Sequence, residues 1–424
     1  HFPYIGLNTL PETIGKPFTV IALVGVINAL NHSDGLDGLA GGESLLSFGA
    51  VAYLAYQYDG ASVLVIAAAI MGGIFGFLRF NSHPARVFMG DGGSQVIGFT
   101  LGVVVVLLTQ DINPVLSPAI ALLLIGLPIV DILAVFFLRA KGGMNFFKAT
   151  KNHIHHRLLE LGFYHYESVV LIYSVQAFFV ICAITLPYES DYLLTGIYLV
   201  ISALVFITLT VLEKRGFQVH HASGNHSHIR SLPAIFDNKN LLSLPAQVLE
   251  GGLILFMLGA GLVTVAVPVD IAISALGLLI MLLLLVLVPR LDNMFLFRLI
   301  TFVSIGFAVY LTRTYPPQWL IEQYYLVFTY FIIIVVCGFI VMRLSSDNSF
   351  RITPLDYLVI IIAMIITIVS GSGNTNADMT WMALQMIVLF YASELVLQRQ
   401  HTIRNRFSGA LITMLILVSI RGLL

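Results

Sequence analysis

Apolar runs recur along almost the whole chain, at roughly 17–31, 44–58, 62–78, 94–109, 118–138, 166–187 and 192–212, then at 248–267, 271–288, 295–312, 324–342, 355–371, 380–397 and 408–423. Most approach the about 20 residues that a helix needs to cross a hydrocarbon core. Leu, Ile, Val, Phe and Gly fill them without the two-residue alternation of a barrel strand, so they predict helices. With 58% hydrophobic and 10% charged residues and a mean hydropathy of +0.95, the composition excludes a soluble protein of any class. The expected fold is all-α: a polytopic transmembrane helical bundle of about 14 spans in two halves. Its surroundings are a lipid bilayer, and no nucleic-acid partner is expected.

The distribution of charge orients the bundle. Placing residues 32–43 in the cytoplasm and alternating the spans leaves every Lys and Arg except Lys16, Arg313 and Arg421 on or next to the cytoplasmic side. A multi-pass plasma-membrane (inner-membrane) protein is therefore expected, and the loops 79–93 and 139–165 share the cytoplasmic face with residues 32–43. Cys182 and Cys337 fall inside apolar runs, away from any ligand or disulfide spacing, and read as packing residues. The chain opens at His1 without a signal-peptide pattern, so the natural N-terminus is expected upstream.

Three polar islands interrupt the first half. The first, Asn28 to Gly42, gathers Asn31, Asp34 and Asp37 among four glycines. If the preceding helix continues, the two carboxylates and the amide share one face. Such a hard-oxygen surface suits Mg²⁺ sharing its coordination with phosphates, and the glycines let a ligand approach; turn chemistry is the plainer alternative. The second island, Arg79 to Ser94, sets Asp91 among glycines before an apolar helix, with Ser94 placed to cap it. A carboxylate beside an anion-attracting helix start implies a bridging cation; a simple turn and cap is the alternative. The third, 139–165, carries five Lys/Arg and no acidic residue from Arg139 to Leu159. Arg157 can grip a phosphate bidentately, and His153 and His156 share a helix face while His155 points elsewhere. Attraction to anionic lipid explains the charge but not three histidines in four residues, and a zinc site there lacks a Cys or acidic third ligand nearby.

Read in order, Asn-x-x-Asn-x-x-Asp-Gly-Leu-Asp-Gly-Leu-Ala-Gly (28–41), Phe-Met-Gly-Asp-x-Gly-Ser (88–94) and His-Ile-His-His-Arg-Leu-Leu (153–159) resemble the polyprenyl-phosphate N-acetylhexosamine-1-phosphate transferases. The match spans roughly residues 1–212. The His-Ile-His-His-Arg form resembles the branch that uses UDP-N-acetylglucosamine or a related UDP-amino sugar, whereas the phospho-muramoyl-peptide branch usually carries three consecutive histidines.

The resemblance implies Mg²⁺, or Mn²⁺, on Asp91 with Asn31 close to the ion. It implies that Asp34 and Asp37, catalytic together with Asp91, line the nucleotide and phosphate pocket. Phe88 and Asn81 would meet the uracil, and His153, His155, His156 and Arg157 the diphosphate or sugar. UDP-N-acetylhexosamine and polyprenyl phosphate would be the substrates, UMP the product, lipid-linked surface polysaccharide the destination, and a homodimer a possible assembly. Two departures stand out. The family's adjacent aspartate pair, on a helix upstream of all three motifs, is missing, which implies that the chain as given is inactive. Ala149-Thr150-Lys151 also stands where Pro-Asp-Arg is common.

Residues 213–247, with His220, His221, His226 and His228, read as a cytoplasmic linker rather than a metal tract. Residues 248–424 carry no comparable island. Arg298 and Glu394 lie near span ends, and Gln385 and Thr367 read as helix–helix hydrogen bonds. A transporter is the rival class, but the charged residues cluster at one membrane face instead of the midplane that transporter sites occupy. A non-catalytic relative is the third reading.

Overall fold

The computed structural model describes residues 10–142, 152–219, 239–287, 294–344, 358, 359, 361, 362, 365, 377–397 and 401–424. All secondary structure among them is helical, in a polytopic membrane bundle. Contacts divide the chain into two units: 1–224 with 352–372, and 225–351 with 373–424.

The first unit contains α1 (Glu12–Ser33), α2 (Leu39–Gln57), α3 (Ala61–Asn81), α4 (Gly90–Leu107), α5 (Ile120–Ile125), α6 (Leu127–Lys141), α7 (Ile154–Glu160), α8 (His165–Thr185) and α9 (Asp191–Lys214). The second contains α10 (Lys239–Val263), α11 (Val269–Leu287), α12 (Met294–Thr314), α13 (Gln318–Glu322), α14 (Tyr324–Leu344), α15 (Ala377–Leu397) and α16 (His401–Leu423).

Fourteen spans are expected. Among the described residues, nine helices are long and apolar enough to cross a bilayer, and the apolar stretches 325–341 and 381–397 lie within α14 and α15; two of the expected runs are corrected by the structure. The run at 44–58 belongs to α2, which is the inner helix of the first unit: every residue from Leu39 to Phe48 is buried. Its small residues explain this, because Leu78 of α3 packs where a side chain on Gly41 would stand, and Tyr173 of α8 does the same at Gly42. The run at 118–138 is not continuous either. Gly126, at a φ of 61°, separates α5 from α6, a conformation that favours glycine. Gln176 satisfies the backbone groups opened there, accepting from Leu127 N–H at 2.9 Å and donating to Leu124 O at 3.4 Å, as a non-helical backbone at membrane depth requires. The run at 355–371, including Thr367, and the histidines at 220–228 lie outside the described residues, apart from 358, 359, 361, 362 and 365.

In the second unit, Leu253, Met257, Ile300, Val309, Leu411 and Leu415 form the centre of an apolar core. The expected hydrogen bond at Gln385 is present, its Oε1 accepting from Arg313 Nε at 3.0 Å. Arg298 does not end in solvent as a snorkelling side chain would; it pairs with Glu394 at 2.9 Å. Both cysteines are free, Cys182 buried and Cys337 half-buried.

Candidate active site

The three islands meet at one end of the first unit. α1 stops at Ser33, and the chain turns through residues 34–38 before α2 begins, with Gly38 at a φ of 83°. Asp34 and Asp37 therefore do not share a helix face as expected; two Asp-Gly steps favour the turn over continued helix. The turn still brings their carboxylates close enough to influence one another. Burial pushes Asp34 above the usual carboxylate range, reinforced by the neighbouring charges of Asp91 and Asp37.

Asn31, one turn from the end of α1, reaches α4: its Nδ2 donates to Asp91 Oδ1 at 3.2 Å and to Ser94 Oγ at 2.9 Å. α4 begins at Gly90, so Ser94 is not its cap; that hydroxyl donates within the first turn to Gly90 O, 3.2 Å away. Asp91 is exposed in this first turn, where the orphan amides and the positive helix end favour an anion. Asp91, Asp34 and the amide oxygen of Asn31 are hard donors of the type magnesium takes. Mutual repulsion of the Asp34 and Asp91 carboxylates is what a divalent cation would relieve, so these residues fit that ion.

Asp37 is held firmly. Its Oδ2 accepts from Ala85 N–H at 3.0 Å and meets His83 Nδ1 at 2.9 Å, while its own N–H donates to His165 Nε2 at 3.1 Å. Burial alone would raise this carboxyl, but the hydrogen bonds from Ala85 and His83 outweigh it and leave Asp37 below the usual range. Asp37, His83 and His165 bring potential metal ligands within 4.8 Å of one another. The imidazoles of His83 and His165 stack at 4.2 Å, which suits hydrogen bonding to Asp37 better than two lone pairs converging on one ion.

Asn81 is 3% exposed and committed to the backbone, accepting from Gly38 N–H at 2.9 Å and donating to Val87 O at 2.9 Å. Expected at the uracil, it instead fastens the second island to the first. Phe88, by contrast, is 74% exposed and free to stack.

The third island differs most from expectation. α7 begins only at Ile154, so His153 is extended, at φ −68° and ψ 149°, and does not share a helix face with His156. His155 and His156 are the closest pair, with centroids 4.3 Å apart. His155 is buried against the Asp34-Gly35 turn, where a side chain on Gly35 would collide with its Nε2. Burial, helped by His156, lowers its pKa to about 4. The fork of Arg157 is occupied: Nε and Nη2 donate to the two oxygens of Glu213 at 2.7 and 2.8 Å, and Nη2 also donates to Thr210 at 2.9 Å. Expected on a phosphate, Arg157 here ties α7 to α9. Ala149 to Lys151, the departure from the Pro-Asp-Arg form, lie outside the described residues.

Sequence reasoning passed over Asp131 and Glu43. Asp131 supplies the acidic neighbour the histidine cluster was expected to lack, His153 Nδ1 lying 2.7 Å from its Oδ2. Glu43 is buried and bonded to Ser33. The signal was available: an acidic residue in or beside an apolar run is costly and asks for a reason. His83, in the loop after α3, and His165, at the start of α8, are single histidines and offered none.

Residues 2–109 match the family model described as Glycosyl transferase family 4. Over these residues the chain is similar to that family. In Bacillus subtilis (strain 168), the "Probable undecaprenyl-phosphate N-acetylglucosaminyl 1-phosphate transferase" is 32% identical over 193 residues, 46% of this chain and 53% of the relative. The Escherichia coli (strain K12) "Undecaprenyl-phosphate alpha-N-acetylglucosaminyl 1-phosphate transferase" is 33% identical over 217 residues, 49% of this chain and 59% of the relative. A "Phospho-N-acetylmuramoyl-pentapeptide-transferase" of Listeria monocytogenes serotype 4b is 37% identical over 186 residues, 39% of this chain and 54% of the relative. The chain thus spans about half the length of the curated relatives it matches. Within the glycosyl transferase family 4 region lie Asn31, Asp34, Asp37, Asn81, Phe88 and Asp91; the histidines and Arg157 follow it.

Proposed function

We propose that the protein transfers N-acetylhexosamine-1-phosphate, with N-acetylglucosamine as the sugar, from a UDP-sugar to a polyprenyl phosphate and releases UMP. The observation that carries this reading is the meeting of Asn31, Asp91 and Ser94 with the Asp34–Asp37 turn and His155, three separate motifs in one site. A phosphate oxygen of the lipid attacks the β-phosphorus, and the bond from that phosphorus to the UMP oxygen breaks. Mg²⁺, or Mn²⁺, held by Asp91 with Asp34 and Asn31, would supply electrostatic stabilisation of the diphosphate. Asp34, Asp37 and Asp91 carry the catalytic role; His155 and His156 border the phosphate side, and exposed Phe88 offers a ring for the uracil to stack upon. A lipid acceptor accounts for the placement of this chemistry in a bilayer protein, with the site at the cytoplasmic face and residues 248–424 an additional membrane domain.

The test is UMP release by protein expressed from its complete gene, given UDP-N-acetylglucosamine and polyprenyl phosphate, with and without Mg²⁺. Release that requires both lipid and metal is the expected result. Activity only with another UDP-amino sugar, or with the UDP-linked muramoyl pentapeptide that the name of the Listeria relative suggests, would change the donor and keep the reaction. No release with any donor would overturn the reading.

A further inference from the structure

We propose that Asp131 is a positioning residue for this reaction, fixing His153 in the tautomer that carries its hydrogen on Nδ1 and leaves Nε2 as the group available to the donor's diphosphate. The proposal rests on the transferase reading above for its purpose, but not for its geometry.

Asp131 lies on α6, one and a half turns past the break at Gly126, and is buried. It divides its two oxygens between two donors: Oδ2 lies 2.7 Å from His153 Nδ1, and Oδ1 accepts from Ile154 N–H at 2.8 Å. An ionised carboxylate only accepts, so the nitrogen it faces must hold the hydrogen and the other ring nitrogen is left to act. The second bond satisfies an orphan amide in the first turn of α7, so one carboxylate orients the imidazole and anchors the helix that follows it.

The ring itself is stacked on two neighbours. His32 stacks on His153 with centroids 5.4 Å apart and planes 20° from parallel, and His155 lies 5.6 Å away at 10°. Stacking sets the plane of the imidazole, while only the bond to Asp131 sets which edge faces which way. Asp131 also lines a small cleft together with Ser33, Glu43 and His155. A buried carboxylate in an apolar helix is costly unless its charge is used, and two charge-assisted hydrogen bonds to the histidine motif are that use.

The experiment has two independent readouts. In protein labelled with ¹⁵N-histidine and reconstituted in lipid, the His153 signals, assigned by their loss in His153→Gln, should show a protonated Nδ1. In Asp131→Asn they should shift toward a mixture of tautomers. A bare Nδ1 in the unaltered protein, meaning that Asp131 donates instead of accepting, would overturn the proposal even if Asp131→Asn failed to fold. In turnover, Asp131→Asn should lower kcat between about 10- and 100-fold, the range for partners that orient a functional histidine, with the donor KM little changed and Asp131→Glu restoring part of the rate. His153→Gln should produce a similar loss, and the double variant no more than the larger single one; losses that multiply would assign Asp131 a purely structural role. If the unaltered protein releases no UMP, the function reading fails while the tautomer measurement still decides this proposal.

Discussion

The two units handle polar residues in opposite ways. In the first, Asn31, Asp34, Asp37, Asp91 and the histidines converge at one end of the helices, and several carry hydrogen-bonding capacity left open toward a ligand. In the second, charged and polar groups close on partners across neighbouring helices: Arg298 on Glu394, Arg313 on Gln385, and Arg421 on the carbonyls of Gly261 and Leu262 at 2.8 and 3.1 Å. The first arrangement also sets the Asp34 and Asp91 carboxylates close enough to repel, which folding alone would disfavour. The second uses these charges to hold helices together. This difference teaches that the number of polar residues in a membrane bundle says less than whether they are satisfied within it.

The contrast is most severely tested at Asp91. Asp91→Asn should lower UMP release by at least about 100-fold, the scale for removing one electrostatic stabiliser of a developing charge. The protein should stay inserted with an unchanged thermal midpoint; near-normal turnover would remove Asp91 from the metal site. His83→Ala comes next. It deprives Asp37 of one of the two bonds to its Oδ2, and a loss of about tenfold in turnover is expected on the scale of orienting partners. Unaltered kinetics would show that Ala85 N–H alone holds the carboxylate.

Arg157→Ala should act on stability before chemistry. Loss of the paired hydrogen bonds to Glu213 should lower unfolding free energy by about 1.5–3 kcal/mol, the worth of a bond to a charged group. Denaturation in detergent measures this, and a donor affinity that falls while stability holds would return Arg157 to the phosphate. A gentler effect concerns pH. His155 accepts a proton in the folded chain only near about 4, against 6.5 for the free side chain, so below pH 6.5 the unfolded chain binds a proton that the folded one refuses. Stability should be unaffected above 6.5 and decline as pH falls from 6.5 toward 4, and His155→Gln should flatten that slope in thermal unfolding. The smallest effect is expected in the second unit. Replacing Arg298 and Glu394 together by Met and Leu should leave turnover within about twofold and stability near neutral, since apolar substitutes for a buried pair are often tolerated. A large loss of turnover would erase the distinction between the units.

Much of this was legible in the chain. Apolar runs near membrane length, with no polar alternation, leave helices as the only economical solution in a bilayer, whatever their neighbours do. The three motifs were visible because residues so costly beside apolar spans need a reason. Less legible was the internal order of the bundle. The run at 44–58 resembles its neighbours in hydropathy, yet Gly41 and Gly42 just before it admit Leu78 and Tyr173 and so draw α2 inward. The break at Gly126 depends on a glutamine 50 positions further along that supplies the missing hydrogen bonds.

The sequence by itself determined the solvent, the helical class and which residues carry chemistry, because these follow from transfer free energies and from residue types at short spacing. The tertiary structure decided which of them remain available. Asn81 and Arg157 present the right groups for a base and a phosphate, but Gly38, Val87 and Glu213 reach them first. Asp131, a lone acid in an apolar run, becomes meaningful only when folding carries His153 to it. Those outcomes turn on hydrogen bonds between residues as many as 56 positions apart, and no local pattern encodes which partner a buried polar group will find.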